Sequence, residues 1–136
     1  MFVTETQVRV RYAETDQMGV VYHSNYLLYF ETGRAESIRH LGFTYAEMEK
    51  LGVLMMVTDA HCRFLRPAKY DDLLTIKTTL KELPLHHKIK FQQEVFNEKN
   101  ELLVSAQIVL FFMETNGLKQ TTMPPQLSEK LQPFFG

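Results

Sequence analysis

The chain has 136 residues, 45% of them apolar and 23% charged, with 15 Lys and Arg against 16 Asp and Glu. That length suits one domain with a closed apolar core, and a formal net charge of -1 gives no electrostatic case for a nucleic-acid partner. Cys62 is the only cysteine, which excludes an intrachain disulfide and any CxxC or Cys/His metal cluster.

Val8 and Val10 alternate with Arg9 and Arg11, a short strand pattern. Tyr12 to Ser24 carries Thr, Asp, Gly and Asn and reads as a loop. A helix is predicted from about Asn25 to Leu41, because Tyr26, Phe30, Gly33, Ser37 and Leu41 recur at helical spacing. Ser24 is its candidate N-cap and Gly42 its stop. A glycine at position 33 weakens a helix by ~1 kcal/mol relative to alanine, so close packing on that side is expected. Thr44-Tyr45-Ala46-Glu47 fits a capping box opening a short second helix that ends near Gly52.

The rest reads as strands. Leu54, Met56, Thr58, Ala60, Cys62 and Phe64 form one alternating set; Leu74 to Lys81 and Lys88 to Val95 form two more. Asn97-Glu98-Lys99-Asn100 is a hairpin turn. Leu102 to Met113 is apolar on both faces, as in a covered central strand. A last helical turn is expected around Leu127 to Leu131. Strands segregated from one long helix indicate an α+β domain with an antiparallel sheet. Short turns favour a meander with the helix on one face, and the second face calls for oligomerisation. No apolar stretch approaches the ~20 residues of a membrane span. Met1-Phe2-Val3-Thr4-Glu5 lacks the pattern of a signal peptide. A cytoplasmic protein is expected, with no repeat or linker interrupting residues 1–136.

The segment Tyr12 to Tyr26 concentrates the chemistry. It holds a loop carboxylate, Asp16, then a turn glycine, Gly19, then the start of the helix. Helix N-termini leave N–H groups unpaired and carry partial positive charge. A carbonyl seated there is polarised, and an oxyanion formed on it is stabilised. Asp16 then either attacks that carbonyl or directs a water as general base.

The segment resembles the signature of the 4-hydroxybenzoyl-CoA thioesterase family, above all its short bacterial acyl-CoA thioesterases. The matching residues are Thr15-Asp16, Gly19-Val20-Val21, Tyr22-His23 and Asn25-Tyr26, with a second patch at Phe64-Leu65-Arg66-Pro67-Ala68 and Asp71-Asp72. The resemblance implies a hotdog fold, an antiparallel sheet wrapped around a long central helix. It implies hydrolysis of an acyl-CoA thioester to free acid and CoA, without metal or redox cofactor, in a homodimer or homotetramer with sites at the dimer interface. Asp16 falls at the family's catalytic carboxylate and the His23 N–H at its carbonyl-polarising position. The His23 side chain supports the site, and Tyr22 stands beside the acyl pocket. Gly19 and Tyr26 complete the substrate-binding set. The family archetype has proline where this chain has His23, which leaves the acyl group open.

Other candidates carry blander readings. Lys88 and Lys90 share one side of a strand and suit CoA phosphates as point charges, or they are solvated strand lysines. The same choice holds for Arg63 and Arg66. Glu31 is the rival carboxylate, or a solvated partner of Arg34. Glu14 is expected to face solvent or pair with a basic neighbour. His86 and His87 are adjacent on a strand and make a poor chelate; Cys62 is a small buried residue. Two competing functions remain: a thioester hydratase or dehydratase using His23 with Asp16, and a non-catalytic acyl-CoA or acyl-carrier binding module.

Overall fold

The computed structural model describes residues 1–136. In chain order it contains β1 (Phe2–Arg9), a 3-10 turn (Tyr12–Glu14), α1 (Asn25–His40), α2 (Tyr45–Lys50), β2 (Val53–Phe64), β3 (Leu73–Leu80), β4 (Lys88–Phe96), β5 (Leu102–Glu114), α3 (Pro125–Leu131) and a closing 3-10 turn (Gln132–Phe134). The five strands form one antiparallel sheet in the order β1-β3-β4-β5-β2.

The meander expected from the short turns holds only for β3, β4 and β5. The second strand lies at the far edge beside β5, and β1 closes the other edge beside β3. Strand length explains the exchange. Strand β5 spans 13 residues, and β2, with 12, pairs along nearly all of it. The first strand begins earlier than its valines suggested, because Phe2 to Arg9 pair continuously with Leu80 to Leu73.

The single alternating set predicted for β2 is split. A register shift between Val57 and Asp59 turns the strand over. Leu54 and Met56 oppose Met113 and Phe111 on the face away from the core, whereas Ala60, Cys62 and Phe64 oppose the core residues Ile108, Ala106 and Val104. β5 is not covered on both faces throughout. Its inward residues Val104, Ala106, Ile108, Leu110 and Phe112 are buried, but Ser105 and Gln107 leave the outward middle polar and half-buried.

α1 packs over β1, β3 and β4. Tyr26, Tyr29, Phe30, Gly33, Ser37 and Ile38 face the sheet because they share one side of a 3.6-residue repeat. Gly33 sits where any side chain would strike Thr78 and Ile76 of β3. Beside it, Gln93 Nε2 donates to the Phe30 carbonyl at 2.9 Å and to Thr78 Oγ1 at 3.0 Å, and Arg34 Nη1 donates to Gln93 Oε1 at 2.9 Å. These buried bonds fix where α1 lies along the sheet, and hence where its N-terminus points. Gly42, at φ +78°, ends the helix region as expected, and Thr44 caps α2 by accepting from Glu47 N at 3.1 Å. Ser24 departs from expectation. It has helical backbone angles and its side chain makes no capping bond. Asn25, Tyr26 and Leu27 donate to the carbonyls of Tyr22, His23 and Ser24, so the free donors are the two N–H groups just before α1, those of His23 and Ser24. No helix is long and apolar enough to cross a membrane.

Candidate active site

The loop between β1 and α1 is stitched to the segment before β3. Val10 N donates to the Asp72 carbonyl, Asp71 N to the Val10 carbonyl, and Val21 N to the Ala68 carbonyl, each at 2.9–3.0 Å. Two isolated bridges, Thr15 with Val21 and Val20 with Lys69, close the loop on itself and on that segment. The second motif patch, ending at Ala68, is therefore a wall of the same site; Ala68 N also donates to the Tyr26 hydroxyl at 3.2 Å.

Asp16 heads a tight turn. Its N–H donates to the Val20 carbonyl, and its carbonyl accepts from Gly19 N. Nothing lies within 4 Å of where a Gly19 side chain would start, so the φ of +77° rather than space calls for glycine there. Oδ1 of Asp16 accepts from Met18 N at 2.8 Å and Val20 N at 3.4 Å. These bonds aim the carboxylate and leave its second oxygen without a protein donor. Asp16 lines an open depression of about 630 Å³ with Tyr12, Ala13, Thr15, Gln17, Tyr22 and Asn25.

At the helix start, Tyr22 N donates to the Glu14 carbonyl at 2.9 Å and Asn25 Nδ2 to the same oxygen at 2.8 Å. The N–H groups of His23 and Ser24 donate to no acceptor within the chain. The His23 ring is exposed, packed on Tyr22 at 4.3 Å between centroids and edge-on to Phe64 at 6.4 Å. With Val21, Tyr26, Phe64, Leu65, Arg66 and Pro67 it lines a second cavity of about 260 Å³. Burial raises the pKa of the Tyr26 phenol, which keeps it neutral as the acceptor for Ala68 N.

The structure thus gathers Asp16, Gly19, Tyr22, His23 and Tyr26 at one end of the sheet. It does not pair Asp16 with His23, whose side chains line different cavities. Lys88 and Lys90 are elsewhere. They begin β4, opposite Phe111 and Val109, and line a cavity of about 410 Å³ with Lys81 and His86. Phe96, at the Asp16 end of β4, lies eight positions on from Lys88, roughly 25 Å of extended chain. Arg63 faces outward on β2; Arg66 pairs with Glu101 at 3.2 Å while bordering the second cavity. Glu31 is exposed and borders neither space. Cys62 is half-buried, and burial pushes its thiol pKa up.

Glu14 does not face solvent; of the two expectations for it, the pairing with a basic neighbour holds, and that neighbour is Arg11. Its carboxylate is buried and accepts from Arg11 N at 2.9 Å, Arg11 Nε at 3.0 Å and the Tyr29 hydroxyl at 2.9 Å. Burial alone would raise its pKa, but the Arg11 N–H, the Tyr29 hydroxyl and the Arg11 guanidinium outweigh burial and hold it below its ordinary value. Sequence reasoning missed Tyr29 as its partner. The only signal was that Tyr29 falls on the buried stripe with a hydroxyl to satisfy.

A carboxylate aimed by backbone donors beside a helix start with free N–H groups is the equipment of a hydrolase acting on activated carbonyls. The chain belongs to the thioesterase-like superfamily, whose family model matches residues 10–131. It is 40% identical over 106 residues to YneP of Bacillus subtilis (strain 168), covering 78% of this chain and 76% of that one. It is 30% identical over 120 residues to the acyl-CoA thioester hydrolase YbgC of Escherichia coli O157:H7, covering 88% and 89%. A DHNA-CoA thioesterase from Staphylococcus aureus superposes with a TM-score of 0.92 at 33% identity, over 98% of this chain and 91% of that one. The fold is the hotdog, and the activity that goes with this membership is hydrolysis of acyl-CoA thioesters.

Proposed function

We propose that this chain, acting over residues 1–136 as one hotdog domain in the cytoplasm, cleaves an acyl-CoA thioester to a carboxylic acid and CoA with Asp16 as the reacting carboxylate. The observation that carries the assignment is the pairing of an aimed carboxylate with the unspent His23 N–H. The thioester carbonyl oxygen accepts from His23 N, and negative charge developing on it is held by that donor and by the helix start. The free oxygen of Asp16 then does one of two things. It bonds to the carbonyl carbon, expels CoA thiolate and leaves an anhydride that water opens, or it takes a proton from a water that attacks the same carbon. Tyr22 flanks the acyl group, the His23 ring and Tyr26 wall the cavity beside it, and Gly19 keeps the turn that presents Asp16. A hydratase would need Asp16 and His23 side chains facing one substrate carbon pair, and they line separate spaces.

The substrate-binding role of Lys88 and Lys90 requires a second copy, because within one protomer they lie at the wrong end of the sheet. A homodimer or a pair of dimers fits the exposed edge. β2 has unpaired backbone groups along one side, and its residues Val57 and Phe64 are apolar and exposed. Thiol release from a panel of short, branched, long and aromatic acyl-CoAs tests the assignment. Turnover by wild type that falls at least ~100-fold in Asp16→Asn is the expected result; full turnover by the variant ends this mechanism.

A further inference from the structure

Glu14 is the only acidic side chain in the buried set, and no step above uses it. Five hydrogen bonds converge on this residue. Its carboxylate takes Arg11 N, Arg11 Nε and the Tyr29 hydroxyl; its carbonyl takes Tyr22 N and Asn25 Nδ2. Arg11 belongs to the loop, but Tyr29 and Asn25 belong to α1 and Tyr22 lies three residues before its first residue. The residue two before Asp16 is therefore tied both to the helix start and to its second turn.

The same bonds decide which amides are left over. Because Tyr22 N is turned toward the Glu14 carbonyl, the next two N–H groups, those of His23 and Ser24, face away with no acceptor. Apolar packing of equal area would hold the loop near the helix but let it slide, whereas hydrogen bonds to a buried carboxylate fix direction as well as distance. We infer that Glu14 and Tyr29 are positioning residues, setting the separation and angle between the Asp16 carboxylate and the His23 N–H without touching the substrate. This inference rests on the role assigned to Asp16. It predicts that loosening the Glu14–Tyr29 contact lowers the rate of the chemical step and spares substrate binding, since neither side chain lines the depression around Asp16 or the cavity under His23.

The test compares kcat, KM and melting temperature for wild type, Tyr29→Phe, Glu14→Gln, the double variant and Asp16→Asn on the best substrate of the panel. Each single variant at Glu14 or Tyr29 is expected to lose about 10- to 100-fold in kcat, the scale of a small misplacement, with KM within about two-fold of wild type. The double variant is expected to be no slower than the slower single, because both changes remove one shared contact. Wild-type kcat in Tyr29→Phe with only a lower melting temperature overturns the inference, as does a loss carried by KM alone or one that multiplies in the double variant. If Glu14→Gln does not fold, Tyr29→Phe decides by itself, since it keeps the ring in the core. An inactive Asp16→Asn beside fully active Glu14 and Tyr29 variants removes the positioning role and leaves Asp16 in place. A fully active Asp16→Asn removes both.

Discussion

Replacing Gly33 by alanine sets two effects of opposite sign against each other inside α1. Helix propensity favours the variant by about 1 kcal/mol. Packing opposes it: a Cβ at position 33 would stand 2.7 Å from Thr78 Oγ1, 2.8 Å from Ile76 Cγ2 and 3.0 Å from Gln93 Nε2. The first two atoms belong to β-branched residues with little freedom to turn away. The third is held by bonds of 2.9 Å to the Phe30 carbonyl and 3.0 Å to Thr78. Making room costs about 1–3 kcal/mol in displaced packing and about 1–3 kcal/mol if a buried bond of Gln93 is lost. After the propensity gain, a net loss of about 2 kcal/mol remains. At roughly 4 °C per kcal/mol for a chain of this size, the melting temperature should drop by ~8 °C. Urea unfolding at matched protein concentration checks it, with a lower midpoint and an unchanged slope as the expected outcome. A variant as stable as wild type would mean that α1 stands off the sheet, and the placement of its N-terminus would fall with it.

Two further predictions concern the loop and the edge. The Glu14 carboxyl has a folded-state pKa below its ordinary value of 4.5, so it contributes stability that is present above the unfolded value and lost as pH falls through the folded one. Acid titration of the melting temperature should therefore show a fall below about pH 4.5 that is shallower in Glu14→Gln; parallel curves would show that the carboxylate carries no such linkage. Val57→Lys puts a charge on the exposed edge strand and should convert a multiple of 15.9 kDa into a 15.9 kDa species by light scattering. An unchanged mass would place the interface elsewhere.

The parts legible in the sequence were those written in neighbouring residues. The turn at Gly19, the entry into α1 at Asn25, the stop at Gly42 and the Thr44 cap each depend on chain within a few positions, and each stands in the structure with its expected backbone. The exception, Ser24, fails because its own backbone has already turned helical, which removes the geometry a capping side chain needs. The sheet order was not legible, because pairing of β2 with β5 joins residues some fifty positions apart and the β2 pattern is inverted by one unpaired residue. For Glu14 the pairing with a basic neighbour, Arg11, was legible, but its burial and its contact with the helix were not, for the same reason. Its partner Tyr29 lies 15 residues on, and nothing near Glu14 in the chain announces a hydroxyl from the helix.

The separation of Lys88 and Lys90 from Asp16 supplies a test of how the site is shared. Two β2 edges meeting about a two-fold axis run antiparallel. Phe64 ends β2 at the Asp16 side, and Val53 begins it at the Lys88 side. The axis therefore lays the lysine end of one protomer beside the Asp16 end of the other, so each site would draw its carboxylate from one chain and its lysines from the next. Co-expressing an Asp16→Asn chain with a Lys88→Ala/Lys90→Ala chain separates the alternatives. In a random mixture of dimers, about a quarter of all sites combine an intact Asp16 with the partner's intact lysines if the site is shared. Thiol release at low substrate concentration should recover to about that fraction of wild type, above the mean of the two parent variants. If the lysines serve the Asp16 of their own chain, no mixed dimer contains a complete site, and activity stays at the parental mean. That result would withdraw Lys88 and Lys90 from any shared phosphate site and leave the CoA end to be held by groups nearer the loop, Arg66 and Lys69 among them.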